Sequence, residues 1–460
     1  MHKLFRIIAV AAAIGVPSGL MGQPLTDQVN FKSGTMGGVH LYNVSVYSGY
    51  VSSAYPLTAG IASTPIPGTG TLGPDTNYGA QATAGWQRHG QRTNFSLMYS
   101  GGYNGMARYT DLSAFNQTLS ISLTRQLRPK WMFTVAASGQ DSTLAQFLYQ
   151  PSSLSVVAQL PATFDDLAAA FSIGQFSNSQ MASMLTGAPL LESPVRSALL
   201  GNRVLSYGLQ ASVRYAYSSR LSFSFGSFSA GGQNRRSGNN EAVQQPYGFI
   251  VPRTLGINAG LGMSYSLSPR TDLGVDAQEM RIANQYQNGY TTTATASFGR
   301  KMGTHWFLRV SGGGSLARVT QQIYGTPETH SVVGGGSIGF RTYQHTLIAS
   351  YDRTSSTAFG FAMGINTLTS GSWNWHRPGS GWSLFTSAGQ QQVRRTGYLD
   401  LSGWQASTGL SRRISTSTTV VAQYSYLSSN GTALLGGGLA NLCIHSVRVS
   451  LNWAPETVLH

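Results

Sequence analysis

The chain has 460 residues, yet only 10% of them are charged, against roughly 25% in an ordinary soluble domain. Its formal charge is +15, and only four of the 30 basic residues are lysines (Lys3, Lys32, Lys130, Lys301), leaving 26 arginines against 15 acids. No run of 18 apolar residues follows the first two dozen, which excludes a bundle of membrane helices; the single cysteine, Cys443, excludes a disulfide framework and a Cys-based zinc site.

Residues 1–22 read as a secretory signal peptide. His2, Lys3 and Arg6 form a basic start, Ile7 to Val16 an apolar stretch, and Ser18, Gly19 and Gly22 are the small residues near a cleavage point. Residues 23–37 then read as a short periplasmic segment. From 38 to 453 the chain alternates with period two. In 204–217 one parity carries Leu205, Tyr207, Leu209, Ala211, Val213, Tyr215 and Tyr217, and the other carries Ser206, Gly208, Gln210, Ser212 and Arg214. Successive side chains of a strand point to opposite faces, so this segment is a strand with one apolar and one polar face. Residues 255–267 repeat the pattern, with Ile257 and Leu261 against Asn258 and Gly262.

The strands come in pairs around eight short turns, at 87–94, 128–130, 218–220, 268–270, 299–305, 341–346, 376–381 and 411–419. These give sixteen strands. A first strand near 38–48, with Tyr42, Val44 and Val46 on one face, and a last near 443–453 bring the expected total to about eighteen, within a range of sixteen to eighteen. The other connections are mostly long: 49–75, 105–115, 143–203, 233–252, 319–330, 354–368, 393–400 and 428–441, with one short exception at 284–287. Short turns on one side and long loops on the other predict an all-β fold, a closed antiparallel transmembrane barrel with both ends on the periplasmic side. Trp86, Trp131, Tyr217, Trp306, Trp375 and Trp382 flank the short turns and form the expected aromatic girdle.

On these features the chain resembles a bacterial outer-membrane β-barrel protein of porin type. The resemblance includes the alternating last strand, where Val447, Val449, Leu451 and Trp453 correspond to the terminal signal read by the barrel-insertion machinery; here a tail, 454–460, follows it. The resemblance implies the outer membrane as location, lipid and lipopolysaccharide as surroundings, and a homotrimer as the usual assembly.

A barrel of sixteen to eighteen strands encloses an aqueous lumen unless something plugs it. The inward parity is expected to be Gly, Ser, Thr, Asn and Gln with occasional Arg, which wets a lumen. The expected function is therefore passive diffusion of small hydrophilic solutes. Arg214, Arg309 and Arg448 fall on that parity and predict a preference for anions, with Gln210 and Asn258 as further lining residues. The loop 143–203 resembles the third loop that porins fold inward as a constriction, with Asp165, Asp166 and Glu192 as its acidic residues; a loop packed over the mouth or against a neighbouring subunit is the alternative. Arg235, Arg236, Arg394 and Arg395 lie in predicted external loops, within reach of lipopolysaccharide phosphates.

Gly334–Gly339 fits the dinucleotide pattern GxGxxG, and Gly335–Gly339 fits the hydrolase pattern GxSxG. Both lie within a strand, without the strand-to-helix turn that either chemistry needs. No catalytic residue, metal or cofactor is expected, and exported, dispersed arginines do not suit nucleic acid. Two other readings stand beside the pore: a barrel serving a secretion or polysaccharide-export assembly, and an outer-membrane hydrolase.

Overall fold

In the computed structural model eighteen strands form one antiparallel sheet closed on itself. The structure describes residues 39–52, 55–56, 71–72, 74–108, 110, 113–143, 203–235, 254–284, 287–321, 328–358, 361–377, 379–395, 399–432 and 438–454. In chain order the barrel strands are β1 (His40–Val51), β2 (Asp75–His89), β3 (Thr93–Met106), β4 (Ala114–Arg128), β5 (Trp131–Thr143), β6 (Arg203–Ala216), β7 (Leu221–Arg235), β8 (Thr254–Ser268), β9 (Thr271–Asn284), β10 (Gln287–Met302), β11 (Trp306–Gln321), β12 (Glu328–Arg341), β13 (His345–Ala358), β14 (Phe361–His376), β15 (Trp382–Arg395), β16 (Leu399–Arg413), β17 (Thr418–Thr432) and β18 (Gly438–Trp453). Every strand pairs with its neighbours in sequence, and β1 pairs with both β2 and β18, which closes the ring. A small two-residue pairing, 55–56 with 71–72, lies outside it.

Closure follows from the alternation. An apolar face spanning every strand can be left against lipid only if no open edge carries unsatisfied amides into hydrocarbon. The strands are 12 to 16 residues long. At ~3.3 Å per residue and a ~40° tilt, 14 residues climb about 35 Å, more than the ~25 Å apolar band of such barrels. Eighteen strands spaced ~4.8 Å apart at that tilt would give a round barrel about 36 Å across its backbone.

The outward parity is apolar and exposed: Leu261 is 63%, Phe225 52% and Val275 50% accessible. All eight expected turns are present at one rim, and the ends of β1 and β18 lie at that rim, Val44 opposite Trp453. Two sequence expectations need correction. A bulge between Leu41 and Asn43 takes Tyr42 off the outward face of Val44 and Val46 and sets its ring near Gly85 on the inside. The expected long connections 354–368, 393–400 and 428–441 are instead largely strand, because β13 runs to Ala358 and β14 starts at Phe361, β15 runs to Arg395 and β16 starts at Leu399, and β17 runs to Thr432 and β18 starts at Gly438.

The ring is not evenly round. Cα atoms of β14 come within 8 Å of β10 and β11, strands three and four places away in the sheet. The wall is creased there, and its inward faces meet. Packed sheets normally sit about 10 Å apart; on the strands that meet, inward Thr291 and Ser297 of β10 and Ser370 and Ser372 of β14 are small and buried.

Candidate functional site: the inner wall

The crease divides the inner wall into two sectors. On β10 to β17 most inward residues are buried, and serines opposite one another share a hydrogen bond. Ser350 and Ser370 are 2.6 Å apart, Ser387 and Ser407 2.7 Å apart, and Ser383 pairs with Ser411. A hydroxyl can donate to its partner and still accept, so such a ladder satisfies itself without water. Apolar residues share this face. Phe307, Val319, Val333, Ile348, Phe385 and Val421 are all inward and at most 4% exposed. The expectation of a uniformly wetted polar lining therefore fails in this sector, where the crease makes a core of inward residues.

Glycine makes that packing possible. Phe385 stands directly opposite Gly409, and Phe307 opposite Gly339. A Cβ at either glycine would overlap the opposing ring. Each ring thus lies flat over a residue with no side chain. The outward pairs Tyr78–Gly105 and Tyr207–Gly231 use the same arrangement.

On β6 to β9 the inward wall is open. Gln210, Ser224 and Gln278 face inward and are exposed. Gln210, Phe228 and Asn258 stand side by side on β6, β7 and β8, and the Asn258 amide donates to Gln278 at 3.4 Å. Four residues closer to the tight turns, Arg214, Ser224, Gly262 and Asp276 form a second row across the same strands and β9. Gly262 leaves room there, since a Cβ would stand 2.6 Å from the Asp276 carboxylate and 2.5 Å from Ser224. Arg214 donates to Ser222 at 3.3 Å, and Ser222 shares a 2.7 Å bond with Ser264.

The three sequence-selected arginines all face inward but are not one cluster. Arg214 belongs to the open wall. Arg309, on β11, feels the carboxylates of both Asp276 and Asp352, which offset its charge. Arg448 lies 3.6 Å over the Tyr47 ring across the closing seam, and the Tyr47 hydroxyl reaches Asn104 at 3.0 Å. Of the selected lining residues, Gln210, Asn258 and Arg214 therefore meet on one wall. Asp276 and Gln278 were missed by sequence reasoning, although their even parity on β9, opposite Leu273 and Val275, carried the signal.

Asp165, Asp166 and Glu192, and with them the expected constriction loop, lie outside the described residues, as do residues 1–38, the tail from 455, and Arg236. Arg235 ends β7 and Arg394 and Arg395 end β15, at the rim of the long connections. The girdle residues all sit at the tight-turn rim: Trp86 packs on Phe95 with ring centres 5.1 Å apart, Trp131 on Tyr215 at 4.6 Å, and Trp306 on Phe340 at 4.6 Å. Tyr217 lies in a turn, Trp375 ends the outward face of β14, and Trp382 lies 5.0 Å beneath the Arg412 guanidinium. Val447, Val449, Leu451 and Trp453 all project outward from β18 and are exposed. Ser337, the serine of the GxSxG match, faces inward in mid-strand between Arg309 and Ser350 and is buried.

A closed antiparallel ring of eighteen strands, apolar outside and polar on one inner wall, decides the architecture. The fold is that of a porin-like outer-membrane barrel. No protein-family model matches the chain, and no curated protein does. Among solved structures it is similar to Pseudomonas aeruginosa OccK2 (OpdF), at 11% identity over 90% of this chain and 98% of that one, with a TM-score of 0.43. It is similar to OccK5 (OpdH) of the same organism at 10% identity, with 91% and 98% covered and a TM-score of 0.42. OpdK with vanillate gives 11%, 91%, 99% and 0.43. At this distance the likeness is one of architecture alone.

Proposed function

We propose that this barrel is a passive outer-membrane channel for small hydrophilic solutes, with a mild preference for anions. The observation that carries the reading is the exposed polar inner wall of β6 to β9, where Gln210, Ser224 and Gln278 face inward within a closed ring. Buried core residues do not stay exposed, and lipid does not solvate glutamines, so these side chains meet water inside the barrel. The tight turns face the periplasm and the long connections face outward, with Val447, Val449, Leu451 and Trp453 as the insertion signal.

The anion preference rests on a balance of charge. Along the described mid-wall Arg214, Arg309 and Arg448 stand against Asp276 and Asp352, an excess of one positive charge. Lys301, Arg341 and Arg413 lie on the inward parity at the tight-turn mouth, against Asp272. A mouth of one sign concentrates counter-ions from solution. The excess is small, so the preference is modest and weakens with salt. Lipopolysaccharide is the proposed contact of the exposed, outward Arg394, and a homotrimer the proposed assembly.

Planar-bilayer recording of the purified protein tests the reading. Stable open steps with a reversal potential toward the anion potential in a salt gradient are expected. A barrel that never conducts overturns the channel, and a cation-selective one overturns the charge argument.

A further inference from the structure

The basic charge of this protein is gathered at one rim. The eight tight-turn segments, 86–95, 123–132, 217–222, 267–273, 299–307, 340–347, 375–383 and 410–420, together hold thirteen Lys and Arg against one Asp. The rest of the chain has 17 basic and 14 acidic residues, so its charge is close to balanced. The arginines are thus not dispersed as the sequence reading holds; they belong to the turns.

Four of them lie within strands, ahead of the turns, and face outward. Arg88, Arg125, Arg300 and Arg412 lie on the outward parity of β2, β4, β10 and β16 and are exposed. Each is two residues beyond an apolar side chain on the same face: Trp86, Leu123, Phe298 and Leu410. Two residues along a strand are about 7 Å, which sets each guanidinium just past the apolar band, at the depth of lipid headgroups. No carboxylate among the described residues pairs with any of the four. Arg412 is held over Trp382, which leaves the edge of its guanidinium free to donate.

We propose that Arg88, Arg125, Arg300 and Arg412 form a collar that binds the phosphates of anionic phospholipids in the leaflet at the tight-turn rim. The guanidinium fork fits phosphate oxygens in pairs, and an anionic headgroup supplies the charge that the protein lacks there. A soluble acidic partner fits less well. These four point sideways into the bilayer and are spread around the ring, whereas such a partner would dock from below on one patch of turn residues. The proposal requires membrane insertion but not conduction, so a sealed barrel would leave it standing.

The test uses the full-length mature protein in nanodiscs of phosphatidylcholine with a minor share of phosphatidylglycerol or cardiolipin. The lipids that remain bound are counted by native mass spectrometry. Anionic lipid should be enriched on the wild type, and each Arg→Gln change should weaken that enrichment about fivefold, from about 1 kcal/mol per basic residue at an anionic surface. The quadruple variant R88Q/R125Q/R300Q/R412Q should show none, its Arg→Lys counterpart should keep part, and Arg318→Gln at the opposite rim should change nothing. Unboiled gel mobility reports folding, and the single variants carry the test should the quadruple one misfold. Equal lipid composition on wild type and Gln variants overturns the proposal. So does retention of acidic peptidoglycan fragments without any lipid enrichment.

Discussion

Consider replacing Gly409 by alanine. Phe385 lies opposite it, fully buried and packed against Val421. A Cβ at 409 would overlap Cε1 and Cζ of that ring and stand 3.0 Å from the Ala422 carbonyl oxygen, well inside the ~3.5 Å at which carbon atoms rest against one another. The ring cannot move outward through the sheet, and Val421 limits its movement sideways. The substitution therefore costs about 1–3 kcal/mol, the usual range for overpacking a dense interior. Phe385→Leu on its own costs about 1–2 kcal/mol, mostly lost burial. If the ring is the obstacle, the smaller leucine relieves the clash, and the double variant should be at least ~1 kcal/mol more stable than the sum of the two predicts. The assay is equilibrium urea unfolding in lipid vesicles, with the folded fraction read from unboiled gel mobility. Strict additivity would refute the claim that a phenyl ring occupies the space of the missing side chain.

Other substitutions probe other parts of the wall. Gly313 and Gly314 are neighbours on β11. A Cβ at 313 would overlap the backbone oxygen of Ala294, and one at 314 meets nothing within 4 Å, so Gly313→Ala should destabilise by about 2 kcal/mol or more and Gly314→Ala by under ~0.5 kcal/mol, as read by the same unfolding assay. Ser350→Ala strands the buried Ser370 hydroxyl and should cost about 1–3 kcal/mol, whereas the double variant S350A/S370A should come close to wild type; equal losses in both would contradict the ladder. Arg448→Ala removes the cation over Tyr47 at the closing seam, with an expected cost of about 0.5–2 kcal/mol of which Arg448→Lys restores part; thermal unfolding of the three proteins decides it.

Much of this architecture was legible in the residues. Val204 to Tyr217 fixes a strand and its two faces by itself, and the eight turns with Trp86, Trp131 or Trp306 beside them mark one rim. The crease was not legible, because a period of two tells which side a residue faces but not how strongly the wall curves. The clue lay in large apolar residues on the polar parity: Phe307 beside Arg309, Ile348 beside Ser350, and Phe385 between Ser383 and Ser387. Read as lumen lining they are anomalous, and read as the core of a folded wall they are expected. The Tyr42 bulge was equally hidden, since one extra residue reverses parity without any change in composition. Parity also put Gln210, Asn258 and Arg214 on the inner face, but only the strand pairing brings them into one open sector, apart from Arg309 and Arg448.

Thiol accessibility under voltage tests most directly whether solutes pass along that sector. In a Cys443→Ser background, which removes the exposed native thiol, Gln210→Cys and Ser370→Cys are compared in planar bilayers with a charged, membrane-impermeant thiol reagent. The account predicts that the reagent lowers the current through Gln210→Cys and leaves Ser370→Cys unchanged. Block at Ser370 with none at Gln210, or the absence of any current, would contradict it.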